Sequence, residues 1–407
     1  MSREVSDRAA PRRSLLRLAA ASALAPGLSG CIFPERGPAV PPGQTAEATV
    51  LGIPNERFFP ALDVGPLEAE YVAAMERHRR ALGLPTFAGM PPLQLLAISG
   101  GGQKGAFGAG VLCGWTDRGT RPTFGLVTGV STGALAAPFA FLGSSHDSRL
   151  RAVYVDTKPD RILATRNVTA ALLDDALADN TPLLETISRH VDDRLLADIA
   201  AAYEAGRLLL IASADLDAQM PVIWNIGAIA RSGHPKAVAT VRRILLAATA
   251  IPGAFPPSLI DVTVNGKPYQ EMHVDGGVFS QMFLYPPALA ANRERRRREG
   301  LPTIEARAFL IRNGRLGPEW AQVERRMLSI ADRAILTMID ASGYNDVIRI
   351  HDNTRRDDVD FNLAFVGRDF SQIQPDGFDP AYMRALYDYG YRRARQGDPW
   401  MKQPPAF

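Results

Sequence analysis

Two stretches of this chain follow the same order, and that order narrows the fold more than any other feature. LQLLAIS (93–99) is a short apolar run that opens straight into GGGQKG, after which AFGAGVLCGWTDRG (106–119) has the texture of a small-residue helix. FGLVTGVSTGALAAPFAF (124–141) repeats the order: apolar run, glycine-bounded turn, helix of small residues. An apolar run without polar alternation reads as a strand covered on both faces, the condition of a parallel sheet between helices. Similar runs at 207–213, 221–226, 304–312 and 359–367 predict further strands, and 66–82, 169–178, 182–204, 239–250 and 323–341 predict helices between them. Alternation of this kind predicts an α/β sheet with helices on both faces. Residues 375–407 read as a helix and an extended tail that cap this body.

The charges nearly cancel, with 46 Lys and Arg against 43 Asp and Glu, so no nucleic-acid partner is expected. The basic cluster Arg293–Arg298 is interrupted by Glu294 and precedes Gly300. It reads first as a solvated helix end and second as a contact for anionic headgroups. No spacing of His, Cys, Asp and Glu predicts a metal site, and no cofactor is expected.

The two cysteines have unlike settings. Cys113 lies in the apolar stretch behind the glycines and reads as a buried small hydrophobe. Cys31 closes a region laid out as an export signal: Arg12, Arg13 and Arg17, an apolar run from Leu18 to Leu28 too short to span a bilayer, then LSGC. LSGC resembles the lipobox of bacterial lipoproteins, in which the cysteine is acylated and becomes the first mature residue, and PRRSLLRL resembles a twin-arginine signal. The expectation is an exported lipoprotein of the bacterial cell envelope, anchored through Cys31 and facing the periplasm. Prolines and glycines crowd residues 32–60, which predicts a tether.

The glycine loop has three readings. A phosphate-binding loop needs Ser or Thr after its lysine, and here Gly105 follows Lys104. A dinucleotide fingerprint is satisfied by Gly100, Gly102 and Gly105, but RGTRPTFGLV offers no acid at the end of the second strand. The third reading is an oxyanion loop, since unshielded glycine amides can face a developing negative oxygen. Gly129-Val130-Ser131-Thr132-Gly133 favours it, because G-x-S-x-G between a strand and a helix lifts the serine hydroxyl clear of the sheet. Asp275, in MHVDGGVF with Gly276 and Gly277, is the acid presented at a strand end.

A glycine loop, then G-x-S-x-G, then D-G-G in that order resembles the patatin-like phospholipases and acyl hydrolases, over about residues 93–312. ADLD (214–217) and ATAIPGAFPP (248–257) add to the likeness. The resemblance implies a three-layer α/β/α sandwich with a mainly parallel sheet and a C-terminal helical extension. It implies Ser131 as nucleophile, Asp275 as its base without histidine, and Gly100, Gly101, Gly102, Lys104 and Gly105 as the oxyanion loop. The activity implied is hydrolysis of lipid esters through an acyl-enzyme, as in a phospholipase A or lysophospholipase. An α/β-hydrolase triad of Ser131, Asp275 and His351 is the alternative, and a catalytically silent lipid-binding lipoprotein is a second. His273 and His351 both read as structural groups. The expected organisation is a signal at 1–30, a tether at 31–60, a helical segment at 61–92, a catalytic domain at 93–312, and a C-terminal part at 313–407 packing on it.

Overall fold

The computed structural model describes residues 36–405 except 157–163, 166–177, 287–292, 294, 296–297, 301–302 and 376. The export signal, Cys31 and all but the last residue of the helix expected at 169–178 lie outside the described residues. The strands of the central sheet, in chain order, are β1 (Arg57–Phe58), β2 (Leu93–Ile98), β3 (Leu126–Val130), β4 (Leu208–Asp215), β5 (Met220–Asn225), β6 (Ser258–Val264), β7 (Lys267–Asp275), β8 (Ala306–Arg312) and β9 (Asp360–Phe365), and Ala164–Thr165 pairs with Ala178–Asp179 as a separate two-stranded sheet. The main helices are α1 (Gly65–Ala81), α2 (Gly105–Asp117), α3 (Thr132–Leu142), α4 (Thr181–His190), α5 (Asp193–Glu204), α6 (Ala237–Ala248), α7 (Met327–Arg356) and α8 (Pro380–Gln396).

The nine-stranded sheet has the order β1-β5-β4-β3-β2-β8-β9, with the β6–β7 hairpin joined through β7 to β4. The five strands from β4 to β9 in that order are mutually parallel. β5 and β7 both run antiparallel to β4. The buried strands send alternate residues to opposite layers, as a period of two requires. Leu96, Ile98, Leu209, Ile211, Phe309 and Ile311 pack with α2, α3, α5, α6 and α8. Ala97, Leu208, Leu210, Ala308 and Leu310 pack instead with α1 and the second half of α7. The result is a three-layer α/β/α arrangement whose central strands are parallel.

The small residues of α2 have a packing reason. A Cβ at Gly110 would lie 2.1 Å from the Tyr387 carbonyl oxygen, and one at Gly114 would lie 2.3 Å from that of Tyr391, so α8 crosses α2 at backbone contact. Cys113 is buried there as a free thiol, and burial, then the nearby Asp147 charge, push it up to about 12.

Three expectations are corrected. The helix expected over 182–204 is two, because Val191 is extended and the Asp192 side chain caps α5 by accepting from Leu195 N at 2.8 Å. The helix expected at 323–341 begins at Met327 and continues to Arg356.

Residues 36–60, expected as part of a tether, lie against the body. Arg36 forms a bidentate pair with Asp217, Gly37 N bonds Gln270, and Thr49 bridges Thr263. The firmest contact is buried: Arg57 holds both oxygens of Glu271, at 2.6 and 3.1 Å, and the Ala48 carbonyl at 2.6 Å. Proline limits ladder pairing there to the two residues of β1 against β5, while side chains and isolated bonds dock the rest.

Removing one member of a buried ion pair strands the other charge. Arg57→Ala should therefore cost about 3–5 kcal/mol of unfolding free energy in urea titration. A loss below about 1 kcal/mol, the surface ion-pair scale, would show that the segment merely rests on the body.

Candidate active site

Register on β4 brings the two candidate catalytic residues together. β3 runs alongside the first half of β4 and ends with Val130 opposite Ala212. β7 arrives antiparallel along the same edge and ends with Asp275 opposite Ser213. The other edge of β4 is occupied by β5, so β3 and β7 meet end to end. Ser131, the next residue after Val130, and Asp275 therefore converge at one point. A Cβ at Gly276 would lie 2.7 Å from the Ala212 carbonyl oxygen, which is how closely the turn after Asp275 hugs β4.

Ser131 has φ 54° and ψ −129°, a left-handed conformation that a non-glycine residue adopts only when its surroundings impose it. The flanking glycines show why the turn can be so sharp: a Cβ at Gly129 would meet Gly133 O at 2.6 Å, and one at Gly133 would meet Ile98 O at 2.2 Å. The serine caps the N-terminus of α3, where the helix dipole favours negative charge.

Asp275 is buried, and Gly277 N donates to its Oδ1 at 2.7 Å. Oδ2 has no bond partner of full geometry, although the Ser131 hydroxyl lies close enough to favour the charged carboxylate. The serine–aspartate contact is thus looser than a full hydrogen bond, as catalytic pairs commonly are before substrate tightens them. Burial outweighs both contacts and pushes the Asp275 carboxyl up to about 7. A group so placed can hold or release a proton near neutrality.

The glycine loop follows β2 at the same end of the sheet. Three of its amides are committed: Gly100 N to Gln281 O at 3.2 Å, Lys104 N to Gly101 O at 3.0 Å, and Gly105 N back into the loop. The amides of Gly101 and Gly102 are left as donors, and Gly102 lines the cleft beside Ser131. The Lys104 ammonium is turned to Glu319 at 3.2 Å. Gly105 starts α2, where a Cβ would lie 2.3 Å from Thr132 Oγ1, so the loop and the serine turn are packed together.

Several supporting residues escape sequence reasoning. Asn313, just beyond β8, donates its backbone N to Ser99 Oγ at 2.8 Å and its side-chain amide to Ser99 O at 2.9 Å, and its Oδ1 accepts from Gly108 N at 3.0 Å. A Cβ at Gly101 would fall 2.1 Å from the Asn313 carbonyl oxygen, with φ +151°. Arg312 donates to Gly100 O at 3.2 Å and Asp340 at 3.0 Å. Gln281 is buried between the loop and the aspartate turn, donating to Gly277 O at 3.2 Å while its Oε1 stays unpartnered. The only signal these residues give along the chain is a cluster of polar side chains just past apolar strands.

Ser131 opens into a largely apolar cleft of about 780 Å³, mouth included, lined by residues such as Leu135, Phe139, Leu183, Ile187, Phe255 and Met383. His190 also lines it, with its ring edge-on to Phe139 and its pKa lowered by burial and then by nearby Arg149. His273 lies two residues before Asp275, hence on its side of the strand. Both its nitrogens are engaged, Nδ1 with Ser213 Oγ at 2.9 Å and Nε2 with Glu271 Oε2 at 3.0 Å. His351 sits on α7 against Phe361 and 3.6 Å from Asp352, so the structure does not bring it to Ser131 and Asp275.

Among the described residues, Asp215, Glu271 and His273 form a group of metal-ligating type. Its positive partner is the Arg57 guanidinium. Burial opposes ionisation of Glu271, but His273 and Arg57 prevail and hold the carboxyl down at about 2.

No curated protein is found to match the chain. Among solved structures, the crystal structure of VipD from Legionella pneumophila is similar at 10% identity over 75% of this chain and 67% of that one, with a TM-score of 0.34. Residues 96–288, which hold the glycine loop, Ser131 and Asp275, match the family model described as patatin-like phospholipase.

Proposed function

We propose that the protein is a serine acyl hydrolase of lipid esters that works through a Ser131–Asp275 dyad. The observation that carries this reading is the meeting of a strained serine, which lines an apolar cleft, with a buried aspartate whose carboxyl is pushed up by burial. In acylation, the Asp275 carboxylate accepts the Ser131 hydroxyl proton as Oγ bonds to the ester carbonyl carbon. The carbonyl oxygen becomes an oxyanion facing the free amides of Gly101 and Gly102. Collapse breaks the ester C–O bond, and the departing alkoxide takes the proton from Asp275. Water then attacks the acyl-serine, giving its proton to Asp275, and Ser131 is restored with release of a carboxylic acid. The apolar cleft suits the acyl chain, which favours a phospholipase A or lysophospholipase type of substrate. The match of residues 96–288 to the patatin-like phospholipase model supports the lipid class.

We extend the proposal to anchoring: residues 1–30 act as an export signal and Cys31 carries acyl chains in the cell envelope. Cys31 is followed closely by Arg36, which is fixed on Asp217. Five residues reach at most about 18 Å, so an anchor there would hold the body near the membrane surface.

Activity and stability should respond oppositely to pH. Because Asp275 must be ionised to act as base, kcat/KM on one ester should rise with an inflection near pH 7, as the carboxyl titrates at about 7. The folded value lies above the ordinary 3.8, so folding retains a proton that the unfolded chain releases. The stability tied to that proton is full below pH 3.8 and lost as pH rises through about 7. Asp275→Asn should therefore be inactive yet gain on wild type in thermal stability between about pH 4 and pH 8, by on the order of a few kcal/mol. A constant gap across that range would refute the buried-acid account.

Ser131→Ala should fold and lose turnover by several orders of magnitude, leaving on the order of 10³ over water from the oxyanion loop and binding. A fluorophosphonate should label Ser131 in the wild type. His190→Ala, His273→Ala and His351→Ala should keep most of their activity when folded by circular dichroism. A folded histidine variant as inactive as Ser131→Ala would replace the dyad with a triad.

Membrane fractionation tests the anchor. Wild type should sediment with membranes, while Cys31→Ser should be soluble or keep its signal. Wild type recovered entirely in the soluble fraction would remove the lipoprotein assignment.

A further inference from the structure

The loops that build the site also carry large apolar side chains into solvent. Val278 and Phe279, directly after Asp275-Gly276-Gly277, are exposed. Trp320 is 89% exposed, and its neighbour Glu319 is tied to the glycine loop through Lys104 at 3.2 Å. Ile373 is 91% exposed, and two residues later the Pro375 carbonyl accepts from Gln103 Nε2 at 3.0 Å. Met327, 80% exposed, opens α7, which is tied back where Arg333 donates to the Glu319 carbonyl and Asp340 accepts from Arg312. Three separate loops and a helix end thus present apolar groups on tethers that lead to the same site.

We propose that this rim docks the protein on a lipid–water interface, so that an acyl chain passes from the lipid layer into the cleft above Ser131. The inference rests on the lipid-hydrolase reading for its substrate, but the docking surface is drawn from exposure and position alone. A nearly bare tryptophan and isoleucine gain free energy only when something removes them from water. What covers a rim around a cleft also covers its mouth. A protein partner or a second copy would plug the mouth, whereas a lipid layer covers the rim and supplies what enters. Tryptophan suits the headgroup boundary, with an apolar ring and one polar N–H. Arg325 and Arg326 are both exposed next to Met327, Arg326 with its Nε 3.3 Å from Glu324, and guanidinium groups beside an inserting methionine could meet lipid phosphates.

The test uses the full chain carrying Cys31→Ser, so that no acyl anchor contributes, and vesicles of phosphatidylcholine with and without phosphatidylglycerol. Trp115 and Trp224 are buried, and Trp400 is half-buried with its ring packed on Trp115 and Phe309, so a change at the vesicle surface reports chiefly on Trp320. Its emission should shift to the blue and be quenched by brominated acyl chains. The double variant Trp320→Ser, Ile373→Ser should lower vesicle partitioning by about tenfold or more. Its rate on a soluble short-chain ester should stay within about twofold, which also reports correct folding. Vesicle binding indifferent to the double variant, or without change in emission, would overturn the proposal and move attachment elsewhere. Burial of Trp320 without vesicles, in a dimer that Trp320→Ser disperses, would overturn it in favour of a second copy. Insertion of Trp320 with no ester hydrolysis would sustain the docking surface while removing the hydrolase reading.

Discussion

The edge of β4 is the constraint on which the site depends. Two strands of opposite direction share it, β3 ending at Val130 and β7 ending at Asp275, one β4 residue apart in register. Neither strand alone places anything; the geometry of the candidate site is the gap between their ends. A one-residue slip of either strand would turn its side chains to the other face and separate Ser131 from Asp275. The register is protected by the β6–β7 hairpin, by β5 on the far edge of β4, and by the Arg57 network. That network links the N-terminal segment through Glu271 and His273 to Ser213, the residue opposite Asp275. Trp224 Nε1 donates to Ser213 Oγ at 2.7 Å and completes the line. The order Trp224 to Ser213 to His273 to Glu271 leaves each donor facing an acceptor, so the underside of the aspartate is rigid as well as satisfied.

The site concentrates unfavourable features that the scaffold must offset. Ser131 is held at positive φ, Asp275 is desolvated, and Gln281 Oε1 and Asp275 Oδ2 both lack partners. Each costs about 1–3 kcal/mol by ordinary measures of strain and unmet hydrogen bonds. The surrounding shell is correspondingly overdetermined. Asn313 makes three bonds to the loop and α2, and Arg312 joins the loop to α7. Glycines let backbone approach backbone where side chains could not fit. The strain survives because relaxing it would break several of these contacts together.

The parts of this arrangement that are legible in the sequence are those written in local chemistry. Apolar runs locate β2, β3, β4, β5, β8 and β9, and the glycine-flanked Ser131 and Asp275 stand out by their turns. The β6–β7 hairpin also has a local signal, although the strand pattern over it is weak: Asn265 and Gly266 have φ 50° and 77°, the pairing that a two-residue hairpin turn requires. For the docked segment 36–60 composition misleads, because it reports how freely a chain moves, while fixation comes from Arg57, Arg36 and Glu56 meeting their partners. Arg36 and Arg57 find theirs far away in sequence, at Asp217 and Glu271. Gln281, Asn313 and Arg312 are hidden for the same reason. Their roles exist only once β7 and β8 stand beside β4 and β2, and no spacing along the chain announces that.

Burial also explains how, in the proposed dyad, an aspartate could stand where serine hydrolases often use histidine. An imidazole titrates near neutrality in water, so it needs only orientation; a carboxylate must be raised far above its ordinary range to do the same. Here desolvation moves it, and the contacts from Ser131 and Gly277 stop the shift at about 7. A more exposed Asp275 would be too weak a base to draw the hydroxyl proton. A more deeply stranded one would stay protonated and could not accept it. Covering the cleft with an apolar layer would push the carboxyl further up, strengthening the base when it is ionised while lowering the fraction that is ionised. The two effects oppose each other in the rate. In the proposed mechanism the Gly277 amide and the Ser131 hydroxyl would therefore do more than orient Asp275: by favouring its charged form, they would limit how far a dry environment could silence it.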